Sequence, residues 1–273
     1  MIERAAIGVF DSGIGGLTVA RAIAQRLPDE DIIYLGDTAR LPYGTKSAAT
    51  VARYAERAVE LLTRYPVKTI VIACNTATAH ALEALRAAHP MPILGVIEPG
   101  ARAALAAARG GPIAIAGTEA TVRSTAYQRA LRTLSPALSE RDLLARPWPL
   151  LVPLAEEGWV DHPVTRLTIS TYLADIVAAR ADTLILGCTH YPVFKDVIRD
   201  VLATDFGGYP LRLVDSADSV TDELAALLTE RSMLAPPREG RRSFFCTDAP
   251  ERFARVGEVF FGAPVTAVSA VDL

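Results

Sequence analysis

Short runs of branched apolar residues alternate with longer amphipathic stretches along most of the chain. The apolar runs at residues 5–10, 31–35, 69–73 and 93–97 are each closed by polar or turn-forming residues. Runs of this kind read as buried strands that deliver a loop at their carboxyl end. Helical spacing fills the intervals. Leu17, Ala20, Ile23, Ala24 and Leu27 share one side of a predicted helix over 17–27, and Val51, Tyr54, Ala58, Leu61 and Leu62 one side of another over 47–65. A third is predicted over 77–88. Pro28 stops the first, and Pro90 with Pro92 the third. Strand–helix alternation predicts a parallel sheet with crossover helices, and such sheets bind ligands beyond the carboxyl ends of their strands.

At Glu98-Pro99-Gly100 the pattern restarts. Helices are predicted over 101–108, 121–134, 165–180, 196–202 and 215–229, and strands over 112–116, 183–187 and 211–214, with a proline-broken apolar stretch over 147–154. A strand over 242–247 and a helix over 251–261 are too few elements for a third domain, and are expected to complete the first sheet. The predicted fold class is therefore α/β, with two pseudo-symmetric doubly wound domains, mainly parallel sheets and a site in the cleft between them. Residues 1–98 with 211–273 form the first expected domain and residues 99–210 the second. Each half reaches a cysteine at a strand end, Cys74 in TIVIACNTATAH and Cys188 in TLILGCTHYPVF; Thr118 follows its strand much as Ser12 follows the first.

Composition narrows the function classes. A hydrophobic share of 51% fills sizeable cores, and a net charge of −3 argues against a nucleic-acid binder. Only three of the 28 basic residues are lysine, a skew that reads as genome composition. The three cysteines, Cys74, Cys188 and Cys246, lie far apart and odd in number, so no disulfide framework is expected and a reducing cytoplasm is. The N-terminus lacks the apolar core of a signal peptide, and no apolar run approaches membrane-spanning length.

A cysteine at the end of an apolar strand is ordinarily packing. Two in matched contexts, followed by Asn75-Thr76 and Thr189-His190, point to chemistry. A helix starting after each thiol is expected to favour thiolate through its positive end. Structural zinc wants four clustered ligands, a redox pair usually stands as Cys-x-x-Cys, and a Cys-His hydrolase leaves the second thiol unused. Two thiols on opposite faces of one substrate suit stereoinversion, one removing a proton from carbon while the other returns one. Asp11 is then a candidate assistant to one thiol and His190 to the other. The glycines at 13, 15 and 16 match neither a dinucleotide fingerprint nor a P-loop and read as a tight strand-to-helix turn. Cys246, His80, His89 and His162 read as structural or surface residues. Either Glu156 or Glu157 is a candidate to reach the cleft.

With these pieces in place, the chain resembles the glutamate racemases of the cofactor-independent aspartate/glutamate racemase superfamily. The resemblance rests on an ordered set: GVFDSGIGGLTV, YLGDTARLPYGTKS, IVIACNTATAHAL, GVIEPGARAA, IAGTEATV, LILGCTHYPVF and VDSAD, covering 8–220. Beyond residue 231 it adds little. It implies two α/β domains, no pyridoxal phosphate or other cofactor, no metal, and a homodimer. It implies Cys74 as the base towards D-glutamate and Cys188 as the base towards L-glutamate. Asp11, His190 and one acid of the Glu156-Glu157 pair, with Glu156 favoured, would support proton transfer. Substrate binding would carry over to Asp11, Ser12, Pro42, Tyr43, Gly44, Asn75, Thr76, Thr189 and His190, with Thr118 and Thr121 contributing. D-glutamate would feed peptidoglycan synthesis. The alternatives are a racemase of aspartate or another acidic amino acid, a non-catalytic amino-acid-binding protein on the same scaffold, and a Cys-His hydrolase.

Overall fold

The computed structural model describes residues 5–273; Met1–Arg4, the start of the first expected domain, lie outside the described residues. The chain opens with β1 (Ala6–Asp11), α1 (Leu17–Arg26), β2 (Ile32–Gly36), α2 (Ala48–Leu62), β3 (Val67–Ile72), α3 (Asn75–Ala88) and β4 (Ile93–Gly95). It continues through α4 (Ile97–Ala107), β5 (Ile113–Gly117), α5 (Glu119–Arg123), α6 (Ala126–Leu134), β6 (Leu143–Pro147), α7 (Leu151–Glu156), α8 (Pro163–Ala178) and β7 (Thr183–Gly187). Then follow α9 (Lys195–Asp205), β8 (Arg212–Asp215), α10 (Ser216–Glu230), β9 (Arg242–Cys246), α11 (Pro250–Phe261) and β10 (Ser269–Ala270).

All strand pairings are parallel, in two sheets ordered β10-β9-β2-β1-β3-β4 and β6-β5-β7-β8. The inner order repeats, since β2-β1-β3-β4 corresponds strand for strand to β6-β5-β7-β8. The C-terminal segment lies in the first sheet, where β9 pairs with β2. The expected boundary at residue 211 does not hold. Strand β8 pairs with β7, with Asp215 reached at the end of the register, so the second sheet keeps the chain until α10.

Three local differences from the sequence reading have physical causes. The helix predicted over 121–134 is two, broken at Thr125, which takes φ 54° and interrupts the helical turn. The strand over 93–97 ends at Gly95 and α4 starts at Ile97, because Pro99 falls in the first turn, where a missing N–H costs nothing. Strand β6 was not foreseen. It is an edge strand paired only with β5, half-buried, and carries no continuous apolar run. The apolar stretch after it folds as the short helix α7, so Glu156 is presented by a helix end rather than a strand end.

Strand ends pass directly into helix caps. Cys74 is the N-cap of α3, its sulfur accepting from the Ala77 amide at 3.4 Å. Thr118 caps α5 through the Thr121 amide at 3.2 Å, and Asp215 caps α10 through the Ala217 amide at 2.8 Å. Each such bond supplies one orphan helix donor and fixes the rotamer of the capping side chain. The halves also share apolar packing. Val71 and Leu94 of the first sheet, with Ala73 just after β3, share one continuous core with Leu186 of the second sheet and Ala217, Val220 and Leu224 of α10. Among the described residues no helix is long and apolar enough to cross a membrane.

The return of the chain to the first sheet is pinned by charge. Lys68 Nζ, fully buried on β3, lies 2.5 Å from Glu30 Oε2 without a well-aligned hydrogen bond and donates to the Met233 carbonyl at 2.5 Å. Glu30 Oε1 accepts from the Ala235 amide at 2.8 Å. Removing one partner of a buried pair strands the other charge. Lys68→Met is therefore expected to lower the unfolding free energy by about 3 kcal/mol, read from urea denaturation; a loss within experimental error of zero would contradict the pinning role.

Candidate active site

In each sheet the first strand, β1 or β5, lies between strands reached by connections running in opposite directions. The crevice at that switch point is where open α/β sheets take ligands. In the first half its walls are Asp11 at the end of β1 with Ser12 after it, and Cys74, Asn75 and Thr76 after β3. In the second they are Thr118 and Thr121 after β5, and Cys188, Thr189 and His190 after β7.

The two sets of loops meet. Thr76 Oγ1 lies 2.9 Å from Thr118 Oγ1 and 3.1 Å from Thr121 Oγ1, and the last two are 3.0 Å apart, so three hydroxyls form a triangle across the halves. Tyr127 Oη donates to Asn75 Oδ1 at 2.6 Å and lies 3.3 Å from Ser216 Oγ. Thr189 Oγ1 donates to Asp11 Oδ1 at 3.4 Å, and Thr18 Oγ1 to the Thr189 carbonyl at 3.2 Å. Glycine makes this approach possible. A Cβ on Gly15 would collide with the His190 ring and the Thr189 hydroxyl, and one on Gly44 would stand 2.7 Å from Thr118 Cβ.

The thiols sit in different electrostatic surroundings. Cys74, 5% exposed, donates to Ser12 Oγ at 3.3 Å and accepts from the Ala77 amide. Burial pushes its pKa up to about 12; the Asp11 charge adds to this, the Ser12 and Ala77 bonds oppose it, and the charge of Cys188 is near enough to raise it further. The expectation that a helix start favours thiolate therefore fails at Cys74, where desolvation outweighs the amide. At Cys188 no α-helix follows directly; a 3-10 turn, Tyr191–Phe194, precedes α9.

Cys188 instead faces a histidine, its Sγ 3.9 Å from His190 Nδ1. His190 Nε2 lies 3.1 Å from Glu156 Oε1. Burial drives the His190 imidazolium towards neutrality, but its bonds to Cys188 and Glu156 and their charges prevail and hold its pKa at about 10. Burial raises Glu156, yet the His190 bond and charge, with Arg252, bring it below the ordinary carboxylate value. Asp11 is fully buried. Its pKa is raised by that burial against the His190 charge and the Gly16 and Gly13 amides, the latter donating to Oδ2 at 3.0 Å.

Not every candidate faces the crevice with its side chain. Tyr43 Oη donates to Asp37 Oδ2 at 2.6 Å, so its hydroxyl serves Asp37, while the adjoining Gly44 packs against Thr118. Pro42 is exposed on the same loop. Glu157 points outward with a side chain 69% exposed, and Glu156, at 11%, is the acid of the pair that turns inward. His162 stacks on Trp159 at 4.3 Å and caps α8, and Cys246 is buried at the end of β9. Cavity volume does not mark the site: a cavity of about 380 Å³ between α3 and α6 contains neither thiol. Among the described residues no group of three or more His, Cys, Asp or Glu side chains is placed to hold a metal ion.

With the two strand-end thiols and the shared polar crevice described, comparison with known proteins gives the family. Residues 7–224 match the model of the Asp/Glu/hydantoin racemases. The chain belongs to that family. A glutamate racemase from Geobacter metallireducens is 48% identical to this family member across 98% of this chain and 97% of its own length. The solved glutamate racemase isoform RacE1 from Bacillus anthracis superposes with a TM-score of 0.92 at 36% identity, covering 99% of this chain and 98% of that one. The glutamate racemase from Francisella tularensis, solved in complex with D-glutamate, gives 0.89 at 35% identity, with coverage of 99% and 98%.

The candidate crevice is also bordered by residues that helical spacing does not single out. Tyr127, Thr18 and Arg252 each reach it from a helix, where spacing shows only which face is buried. The raised Cys74 predicts an observable: in the ligand-free protein, alkylation of Cys74 by iodoacetamide, followed peptide by peptide with mass spectrometry, should keep rising roughly tenfold per pH unit to about pH 10.5. An inflection at or below the ordinary thiol value would contradict the desolvation argument.

Proposed function

We propose that the protein interconverts L- and D-glutamate by cofactor-independent proton transfer at Cα, with Cys74 and Cys188 as its two bases. The observation that carries the reading is one thiol at a strand end of each repeat, on a crevice whose two walls meet through Thr76 with Thr118 and Thr121 and through Thr189 with Asp11. In the direction from L-glutamate, Cys188 as thiolate, charge-paired with the His190 imidazolium, takes the α-proton. The Cα carbanion then receives the Cys74 thiol proton on its other face, leaving Cys188 as thiol and Cys74 as thiolate. The reverse direction begins with Cys74 as the base. A dry thiolate at Cys74 is costly, so its high pKa suits a ready proton donor. His190 stabilises the opposite thiolate by charge and Glu156 stabilises His190, while Asp11 stands beside Thr189 for the substrate ammonium or the Cys74 side.

The crevice hydroxyls of Ser12, Thr76, Thr118, Thr121 and Thr189, with the Asn75 amide and the backbone N–H groups of Tyr43 and Gly44 beyond Pro42, supply donors for the substrate carboxylates. Loss of substrate protons to solvent is limited because both sulfurs are nearly closed off from water. We further propose that the protein acts in the cytoplasm as a homodimer and supplies D-glutamate for peptidoglycan synthesis.

Purified protein without added cofactor is expected to racemise either glutamate enantiomer, followed by circular dichroism, with solvent deuterium entering Cα. Cys74→Ala and Cys188→Ala should each lower turnover in both directions by at least about 100-fold. Full turnover by either variant would sink the two-base assignment, and preference for aspartate in a panel of acidic amino acids would move the substrate.

A further inference from the structure

One charged side chain reaches the site from an element that the proton-transfer scheme leaves unused. Arg252 lies on α11, which follows β9 of the first sheet and packs on α1. Its Nη1 is 3.3 Å from Glu156 Oε2, and its Nη2 is 3.6 Å from Glu157 Oε1. The other oxygen of Glu156 meets His190, which meets Cys188. Guanidinium, carboxylate, imidazole and sulfur thus stand in one line. The first member comes from one half of the molecule and the other three from the second.

The same helix sets the Phe260 ring edge-on to His190, with centroids 5.2 Å apart at 75°. The imidazole is therefore held from two sides by α11, by the ring directly and by Arg252 through Glu156. We infer that Arg252 is a positioning residue for proton transfer at Cys188, fixing the Glu156 carboxylate from across the cleft so that one oxygen is always presented to His190. The inference rests on the two-base reading above.

The physical ground is the uneven wetness of the pair. The Glu156 side chain is 11% exposed and that of Arg252 is 38%. A nearly dry carboxylate needs its cations, and its ionised form is supported first by His190 and then by Arg252. Glu157 is the other charged group at this end of α7. Around His190 the facing groups are Cys188, Thr189, Glu156 and the charge of Asp11. No second guanidinium or ammonium is paired with Glu156 among the described residues. Loss of Arg252 therefore raises the pH at which Glu156 takes a proton, and frees the carboxylate to rotate away from His190.

The test compares Arg252→Ala, Arg252→Gln and Arg252→Lys with Arg255→Ala, an exposed arginine on the same helix. For Arg252→Ala, kcat should fall about two- to fivefold, the range for a partly exposed pair, with KM changed less. The acid limb of the pH profile of kcat/KM should move to higher pH, and lysine should restore most of the loss. Because the two enantiomers are equal in free energy, kcat/KM must fall equally in both directions. Arg255→Ala should match the unmodified protein. Should the alanine variant fail to fold, the glutamine and lysine variants carry the comparison.

An unchanged profile in Arg252→Ala overturns the inference. So does a fall in kcat with the acid limb unmoved, or an equal fall in Arg255→Ala, since either marks a merely structural role for α11. A readout independent of turnover is the carboxyl ¹³C shift of Glu156, whose titration should move to higher pH in Arg252→Ala. If the unmodified protein racemises nothing while this titration moves, the hold of Arg252 on Glu156 stands but the racemase reading falls, and with it the role in proton transfer.

Discussion

A charge taken out of water must find another charge or give up its proton, and this site solves that problem differently at its two ends. Cys74 has only hydroxyl and amide neighbours and a nearby carboxylate, so burial keeps its proton on. Cys188 has His190, and His190 has Glu156, so charge is kept there by pairing. Two thiols in matching positions of a repeated fold thus stand in unlike electrostatic surroundings before any ligand arrives. Dryness does the sorting, and the polar neighbours decide in which direction.

Much of this was visible in the chain itself. Parallel strands buried on both faces read as continuous apolar runs, and their ends are where chemistry collects, so Cys74, Cys188, Asp11, Thr118 and His190 could all be placed at strand ends without coordinates. Side chains arriving from helices could not. Nothing in the spacing tells that Glu156 turns inward and Glu157 outward, because α7 is a single short helix whose final turn sets that choice. The same holds for Tyr127, whose hydroxyl crosses between the halves to Asn75.

The places where local pattern misled are equally physical. Edge strand β6 lacks a dry face on each side and therefore lacks the apolar run that marks its neighbours. The break at Thr125 depends on one residue accepting a left-handed conformation, which no periodicity announces. The misplaced boundary near residue 211 came from reading β8 as a return, when the repeated strand order requires a fourth strand in the second sheet as β4 is the fourth of its half. Helix α10 then serves both halves, which is why the apolar core runs through it without interruption.

The placement of β9 beside β2 has a consequence for synthesis. Strand β2 leaves the ribosome roughly 200 residues before β9, the strand that covers its open edge. Over that interval the first sheet presents an edge of unpaired backbone groups to its surroundings, the kind of surface that recruits other strands. A transcript truncated before residue 242 would leave both cysteine loops intact and still yield a polypeptide prone to aggregate.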